Sequence, residues 1–263
     1  MILSSVIIVL GEVLEVAILI SLFLALIFRF KISYAWLIES LIIGCMGAIF
    51  YASYFDTVSQ WFDGFGQEVV NASIQLGIYI CLVLFNTLIY ISRHDQLITK
   101  YLQWIMALSI ILAITREGAE IFLYISGFYS SELLMMPVIT GSILGGSIGL
   151  SLGILIYYTF TNMADRTSLY IGYSLLLFVS AGMILQAVRL LIQIDWLPAQ
   201  EIIWDVSDWL TESSVTGRLL YTLMGYEATP TLIEIQFYIA AILGVLLATG
   251  FSQYFISKKS SGH

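Results

Sequence analysis

Histidine and cysteine are nearly absent from this chain, which has two of each among its 263 residues. Cys45 and Cys81 lie in apolar runs and indicate neither a disulfide framework nor a cysteine-type metal site. His94 and His263 fall outside the apolar runs, which argues against a helical di-iron enzyme with its Glu-x-x-His pairs. A His-Glu-x-x-His motif, a Ser-His-Asp set and a phosphate loop are missing as well. The sequence therefore predicts a protein that is not an enzyme and has no permanent cofactor.

Charged residues are also few, and long apolar runs take their place. Charged side chains make up 11% of the sequence and hydrophobic ones 60%, with a mean hydropathy of +0.96. This composition excludes a soluble globular domain and indicates a polytopic protein of the lipid bilayer. No nucleic-acid partner is expected. The first apolar run lacks a basic region before it and contains Glu12 and Glu15, so it is predicted to be a retained helix.

Seven apolar stretches are long enough to cross a bilayer, which takes ~20 residues of helix. They lie at about 2–28, 34–55, 70–92, 101–126, 134–160, 168–192 and 232–257. The predicted fold class is therefore all-α, a multi-pass membrane protein with seven transmembrane helices in one domain, 1–263. The compact loops favour the plasma (cell inner) membrane of a bacterium or archaeon over an organelle.

Basic residues predict the orientation, because cytoplasmic loops are rich in lysine and arginine. Seven of them follow helices 1, 3, 5 and 7, whereas the alternate loops hold only Arg218. The seven are Arg29, Lys31, Arg93, Lys100, Arg166, Lys258 and Lys259. The N-terminus is thus predicted outside and the C-terminus inside. Acidic residues concentrate in the predicted outer loops, where they either steer cations to a mouth or only keep the loops soluble.

An arginine and two glutamates, Arg116, Glu117 and Glu120, interrupt the fourth apolar run. Ionisable groups at that depth are expensive, by ~3 kcal/mol each on insertion scales. On a helix the three fall at about 0°, 100° and 40°, so they share one face. Arg116 is expected to lean on Glu120, and the two carboxylates are expected to converge on one cation. Buried ion pairs that only fix helix packing are the alternative.

The first helix repeats the carboxylate pair with Glu12 and Glu15, but Gly11 stands where the other motif has its arginine. Arg189, near the outer end of helix 6, is one candidate for the missing charge. Carboxylate oxygens are hard donors that suit highly charged cations, or Mg, Ca and Mn among the divalent ones. The two glutamate pairs carry a formal charge of −4, and Arg116 brings it to −3, which matches a trivalent cation.

The two motifs also predict an internal repeat. Helices 1 and 4 each begin a group of three, so residues of about 1–92 and 101–192 form an inverted 3+3 repeat, with helix 7 added. Inverted repeats place a binding site near the midplane, where the repeats meet. The second helix of each group is rich in glycine, which lets helix backbones approach closely. These glycines are Gly44 and Gly47 in helix 2 and Gly141, Gly145, Gly149 and Gly153 in helix 5.

Three further carboxylates are candidate accessory residues of the site. Glu39, in helix 2 near the predicted inner side, is either an exit-side ligand or a group that reaches the interface. Glu68, before helix 3, and Glu234, just inside helix 7, are candidates for an outer vestibule, and solvated helix-end carboxylates are the alternative.

The long loop at 193–231 is predicted to lie on the outer interface as a short amphipathic helix, with Trp204 and Trp209 as anchors. Its apolar residues recur at helical spacing, opposite four carboxylates. They are Ile202, Ile203, Val206, Trp209 and Leu210.

Residues 116–120, Arg-Glu-Gly-Ala-Glu, match the Arg-Glu-x-x-Glu motif of the high-affinity iron permease family of fungi and bacteria. Residues 12–17 resemble the first motif of that family. Residues 204–220 and 225–234 resemble its C-terminal loop and last helix. The likeness covers nearly the whole chain, including its seven helices, and Gly11 departs from the first motif.

The resemblance implies that the chain is an iron permease, with iron as its transported substrate. It assigns the metal to Glu12, Glu15, Glu117 and Glu120, with Arg116 as the motif arginine. It also implies a partner, either an iron oxidase or a periplasmic iron-delivery protein. A carrier of manganese, lead or protons, and a membrane anchor that docks a redox partner through the 193–231 loop, are the alternatives. Ferric or ferrous preference, coupling energy and oligomeric state stay open.

Overall fold

The computed structural model describes residues 1–28, 34–89, 96–212 and 214–260. Some residues named above, Arg29, Lys31, Arg93, His94 and His263, lie outside these ranges. The orientation that depends on the basic residues therefore stays a prediction. Within the described ranges the regular structure is helical, and an isolated antiparallel bridge joins Ile202 to Thr231.

The long helices follow the apolar runs of the sequence. In chain order the helices are α1 (Ile2–Ile27), α2 (Ala35–Ser53), α3 (Phe55–Ser59), α4 (Gly66–Leu88), α5 (Gln96–Ser126), α6 (Glu132–Asn162), α7 (Asp165–Gln193), α8 (Val215–Met224) and α9 (Leu232–Ser260). Seven of them, all except α3 and α8, are long and apolar enough to span a membrane. Each overlaps one predicted span, so the all-α, seven-helix prediction is confirmed.

Helices α1 and α7 occupy the middle of the bundle. More than half of each apolar span is buried, 56% in α1 and 61% in α7, against 28–39% in the other five. Leu22 and Phe23 of α1 have no exposed surface, and the Phe23 ring meets that of Phe85 on α4 at a centroid distance of 4.7 Å. The outer helices expose apolar faces, such as Ile42 and Met46 on α2, as a lipid-facing surface requires.

The helices pair in a crossed pattern between the two halves of the chain. The most extensive contacts join α1 to α6, α2 to α5 and α4 to α7. In each of the first two pairs, the leading helix of one half packs against the middle helix of the other. Two equivalent halves would pack in this way, and the inverted relation of the halves stays a prediction.

The glycines of the middle helices lie in these crossed contacts. In α6 the contacting row begins at Gly141 and ends at Gly153, and it runs along α1 from Ile2 to Ser21. In α2 the corresponding glycines, Gly44 and Gly47, meet α5. The packing role predicted for the glycine row is confirmed, and these close approaches bring α1 against α6 and α5 against α2.

The amphipathic helix predicted around residues 202–210 is wrong. Backbone N–H groups of this segment donate to the stretch before α9 instead: Ile203 to Pro230 O at 2.9 Å and Val206 to Ala228 O at 3.0 Å. Asp205 also accepts a hydrogen bond from the Ser207 N–H at 2.9 Å, a local turn that competes with helix formation. The helix of this loop is α8, which begins after Ser214, whose Oγ caps it by accepting from the Gly217 N–H at 3.0 Å.

Candidate cation site

The two carboxylate motifs meet in the interior of the bundle. Helix α1 contributes Glu12 and α5 contributes Glu117 and Glu120, and one carboxylate oxygen of each lies within 4.8 Å of the other two. Oxygens on opposite sides of one bound ion are ~4–5 Å apart, so the three are spaced to share a cation. Glu117 is the most buried, with 2% of its surface exposed. The predicted convergence of the motifs is present in the structure, with Glu15 standing outside this trio.

Arg116 neutralises part of the cluster. Its Nε lies 3.3 Å from Glu120 Oε1, one turn further along α5, and its Nη1 also contacts Glu117. The same Nη1 lies 3.6 Å from Glu15 Oε2 on α1. The expected pairing of Arg116 with Glu120 is therefore confirmed. One guanidinium faces three carboxylates from two helices, which holds the site together and leaves it negative.

Two buried glutamines hold Arg116 and Glu15 from the far side, and the sequence reasoning missed both. Gln186 of α7 donates from Nε2 to both oxygens of Glu15 at 3.3 Å, and its Oε1 accepts from Arg116 Nη1 at 3.2 Å. Gln75 of α4 contacts both Gln186 and Arg116 through its side-chain amide. The sequence signal for both residues is a side-chain amide inside an apolar helix, because an amide buried there needs a hydrogen-bond partner.

Glu120 is held by a short chain of hydrogen bonds. Asn71 of α4 donates from Nδ2 to Glu120 Oε1 at 3.4 Å, and Tyr51 of α2 donates from its hydroxyl to Asn71 Oδ1 at 3.0 Å. A cavity of about 440 Å³ adjoins these hydrogen bonds and is lined by Glu12, Glu68 and Glu120, among others. The site thus has room for water and for an ion beside its carboxylates.

The three accessory candidates have different surroundings. Glu68, in the first turn of α4, lines the same cavity as Glu12 and Glu120. Glu39 is exposed on α2 and is not among the residues that line this cavity. Glu234 is buried in the first turn of α9, where its carboxylate accepts from the N–H of Thr231 at 2.7 Å as a helix cap.

Arg189, the proposed source of the charge missing at Gly11, is held by a different set of glutamates. Its guanidinium contacts Glu227 and lies 3.3 Å from Glu234 and 3.9 Å from Glu212. The space next to Gly11 is filled by another arginine, Arg218 of α8.

One oxygen of Glu117, Oε2, is buried and has no hydrogen-bond partner among the described residues. A buried carboxylate oxygen without a partner is costly. Such an atom on a residue of the trio is a natural ligand for a cation.

Comparison with known proteins agrees with this chemistry. The iron permease FTR1 family matches residues 2–262. A ferrous iron permease EfeU of Yersinia pestis is 28% identical over 151 residues, which are 55% of this chain and 51% of that protein. One of Shigella flexneri is 27% identical over 55% of this chain and 62% of its own length. A relative in Escherichia coli strain K12, 27% identical over 55% of this chain and 52% of its own length, is provisionally described as inactive.

These matches span about half the length of the curated relatives. No solved structure matches the chain at a significant level. The family is one of iron permeases. With its seven spans, the chain is a multi-pass protein of the inner membrane. The match over nearly every residue shows that the chain belongs to the iron permease FTR1 family.

Proposed function

We propose that this chain carries iron ions across the inner membrane, binding them between α1 and α5 on the trio Glu12, Glu117 and Glu120. The observation that carries the proposal is the spacing of the three carboxylates, each with an oxygen within 4.8 Å of the others in an apolar bundle. A protein interior keeps several carboxylates together only when a cation or protons join them. The relatives named as ferrous iron permeases support iron as that cation.

Glu15 has a different role from the trio in this proposal. Its oxygens face Arg116 and Gln186, at 3.6 Å and 3.3 Å. Glu15 attracts the Arg116 guanidinium from α1, while Glu117 and Glu120 attract it from α5. The guanidinium therefore stays in place when an ion binds or leaves. Glu15 is therefore a positioning residue of the site, while the trio supplies the ligands.

The ion reaches the trio through the cavity lined by Glu68. That cavity, of about 440 Å³, connects Glu68 in the first turn of α4 with Glu12 and Glu120. A carboxylate at its rim raises the local concentration of cations. An oxidase or a periplasmic iron-delivery partner would hand iron to this side, which the orientation rule places outside the cell.

Glu12→Gln tests the proposal, with Glu39→Gln as the matched control. Glu39 precedes Tyr51, which lies at the level of the site, by twelve residues of α2, or about 18 Å along the helix axis. We expect Glu12→Gln to lower the initial rate of radiolabelled iron uptake into proteoliposomes about tenfold, because one of three ligands loses its charge. Glu39→Gln keeps the native rate.

The assay is run with ferrous and ferric iron, in the presence and absence of manganese as competitor. A native chain that accumulates neither form above empty liposomes contradicts the proposal. Equal rates for Glu12→Gln and the native chain would remove Glu12 from the binding site.

A further inference from the structure

The arginine that the first motif lacks has a substitute from another part of the chain. Gly11 precedes Glu12 as Arg116 precedes Glu117. A Cβ atom built on Gly11 would lie 3.3 Å from Cδ and 3.4 Å from Cζ of Arg218, and closer still to its Nη1. The side chain of Arg218 therefore occupies the space in which a side chain at position 11 would begin.

Helix α8 fixes the backbone from which Arg218 reaches α1. The Arg218 N–H donates to Ser214 O at 2.9 Å, and its carbonyl oxygen accepts from Thr222 Oγ1 at 2.9 Å. Helix α8 packs against both α1 and α7. Gly11 and Arg218 are thus complementary, because only a residue without a side chain at position 11 leaves room for the guanidinium.

Arg218 faces the motif carboxylates without being paired to any of them. It lines a cavity of about 380 Å³ together with Glu12, Glu15 and Glu120. Among the described residues, no carboxylate oxygen lies within 4.0 Å of its nitrogens, in contrast to Arg116. The charge of Arg218 therefore acts through the cavity on any ion that binds there.

The charge of the site changes when Arg218 is counted. The four motif glutamates give −4, and Arg116 and Arg218 bring the sum to −2. The cavity wall also contains Arg189 and Glu212, but Arg189 is shared with Glu227 and Glu234 in an ion-pair group of its own, apart from the motif residues. A site of −2 matches a divalent ion, whereas the sequence alone suggested −3 and a trivalent one.

We infer that Arg218 is a specificity-determining residue that stands in for the arginine missing at Gly11 and favours divalent over trivalent cations. The inference rests on the proposed function of the glutamate trio. Its physical cause is the repulsion between Arg218 and the bound ion, which grows in proportion to the charge of that ion. A trivalent ion is therefore penalised more than a divalent one.

Equilibrium binding to the purified chain in detergent tests this, with manganese(II) and gallium(III) as redox-inert probes and one competing chelator throughout. We expect Arg218→Met to bind manganese about tenfold and gallium about thirtyfold more tightly than the native chain. The gain in the logarithm of the affinity is proportional to the charge of the ion, and the charges are +2 and +3. Arg218→Lys keeps the native affinities. General damage to the fold would instead weaken the binding of both ions. If Arg218→Met does not fold, Arg218→Gln replaces it.

A swap separates charge from volume. Gly11→Arg combined with Arg218→Ala places the positive charge on α1 instead of α8 and restores the native preference for the divalent ion. Gly11→Met combined with Arg218→Ala fills the same space without charge and keeps the altered preference. Unchanged relative affinities in Arg218→Met, or a swap that restores nothing, overturn the inference while the native chain still binds metal. A native chain that binds neither probe overturns the proposed function and this inference together.

Discussion

We expect iron uptake to fall by about a hundredfold or more when Glu117 and Glu120 are both replaced with glutamine. The two changes remove the α5 carboxylates of the trio and leave Glu12 as its only charged ligand. Glutamine has nearly the same shape, so α5 still packs, and the amides still accept hydrogen bonds from Arg116. The site then carries two negative charges fewer, and Arg116 repels the ion without compensation from its own helix.

The matched control removes the same charge from the surface. Glu201→Gln with Asp208→Asn changes two exposed carboxylates of the loop before α8. Uptake is measured with radiolabelled iron in proteoliposomes, and folding by size-exclusion chromatography of each variant. We expect the control to transport at about the native rate, because exposed charges are screened. If both double variants lose uptake equally, the overall acidity of the protein and not the trio governs transport.

Gly145→Val destabilises the bundle by ~3 kcal/mol and separates α1 from α6. A Cβ at this position would lie 2.5 Å from Val6 O and 3.0 Å from Leu10 N, both backbone atoms that have no rotamer to change. The helices must therefore move apart, and with α1 moves Glu12. The variant is expected to unfold at a lower temperature in detergent and to bind manganese more weakly.

The adjacent glycine provides the comparison. A Cβ at Gly146 would meet only Val13 Cγ2, at 3.9 Å, which is ordinary contact. Gly146→Val makes the same change in helix propensity, so the difference between the two variants isolates the close approach of the backbones. A thermal unfolding midpoint for Gly145→Val equal to that of Gly146→Val would contradict the contact.

The elements predicted best from the sequence are those with local signals. Apolar length alone predicts the seven spans, and the i, i+3 spacing of Glu117 and Glu120 places both carboxylates on one face of α5. That Glu12 of α1 meets them followed from the repetition of the motif. The cost of charges in a membrane made such a meeting the natural outcome.

The partners that come from other helices were not predictable in this way. Gln75, Gln186 and Asn71 reach the site from α4 and α7, and helical periodicity does not say which helices are neighbours. Arg218 looked like an ordinary loop residue until α8 placed it against Gly11.

The wrong helix near residues 202–210 has a similar origin. Apolar residues at helical spacing are also compatible with an extended segment when another part of the chain accepts its backbone hydrogen bonds. Here Ala228 and Pro230 do so, 22 and 27 residues further along than their partners Val206 and Ile203. The competing contact was non-local, and spacing within the segment could not reveal it.

The crossed pairing of the helices also constrains how the protein is made. Helix α1 leaves the ribosome before α6, the helix it packs against most, which begins more than a hundred residues later. Until α5 and α6 are inserted, Glu12 and Glu15 have neither Arg116 nor a packed neighbour, and lipid is a poor solvent for both. The N-terminal half alone is therefore incomplete, and the carboxylate trio is assembled only when the second half is in the membrane.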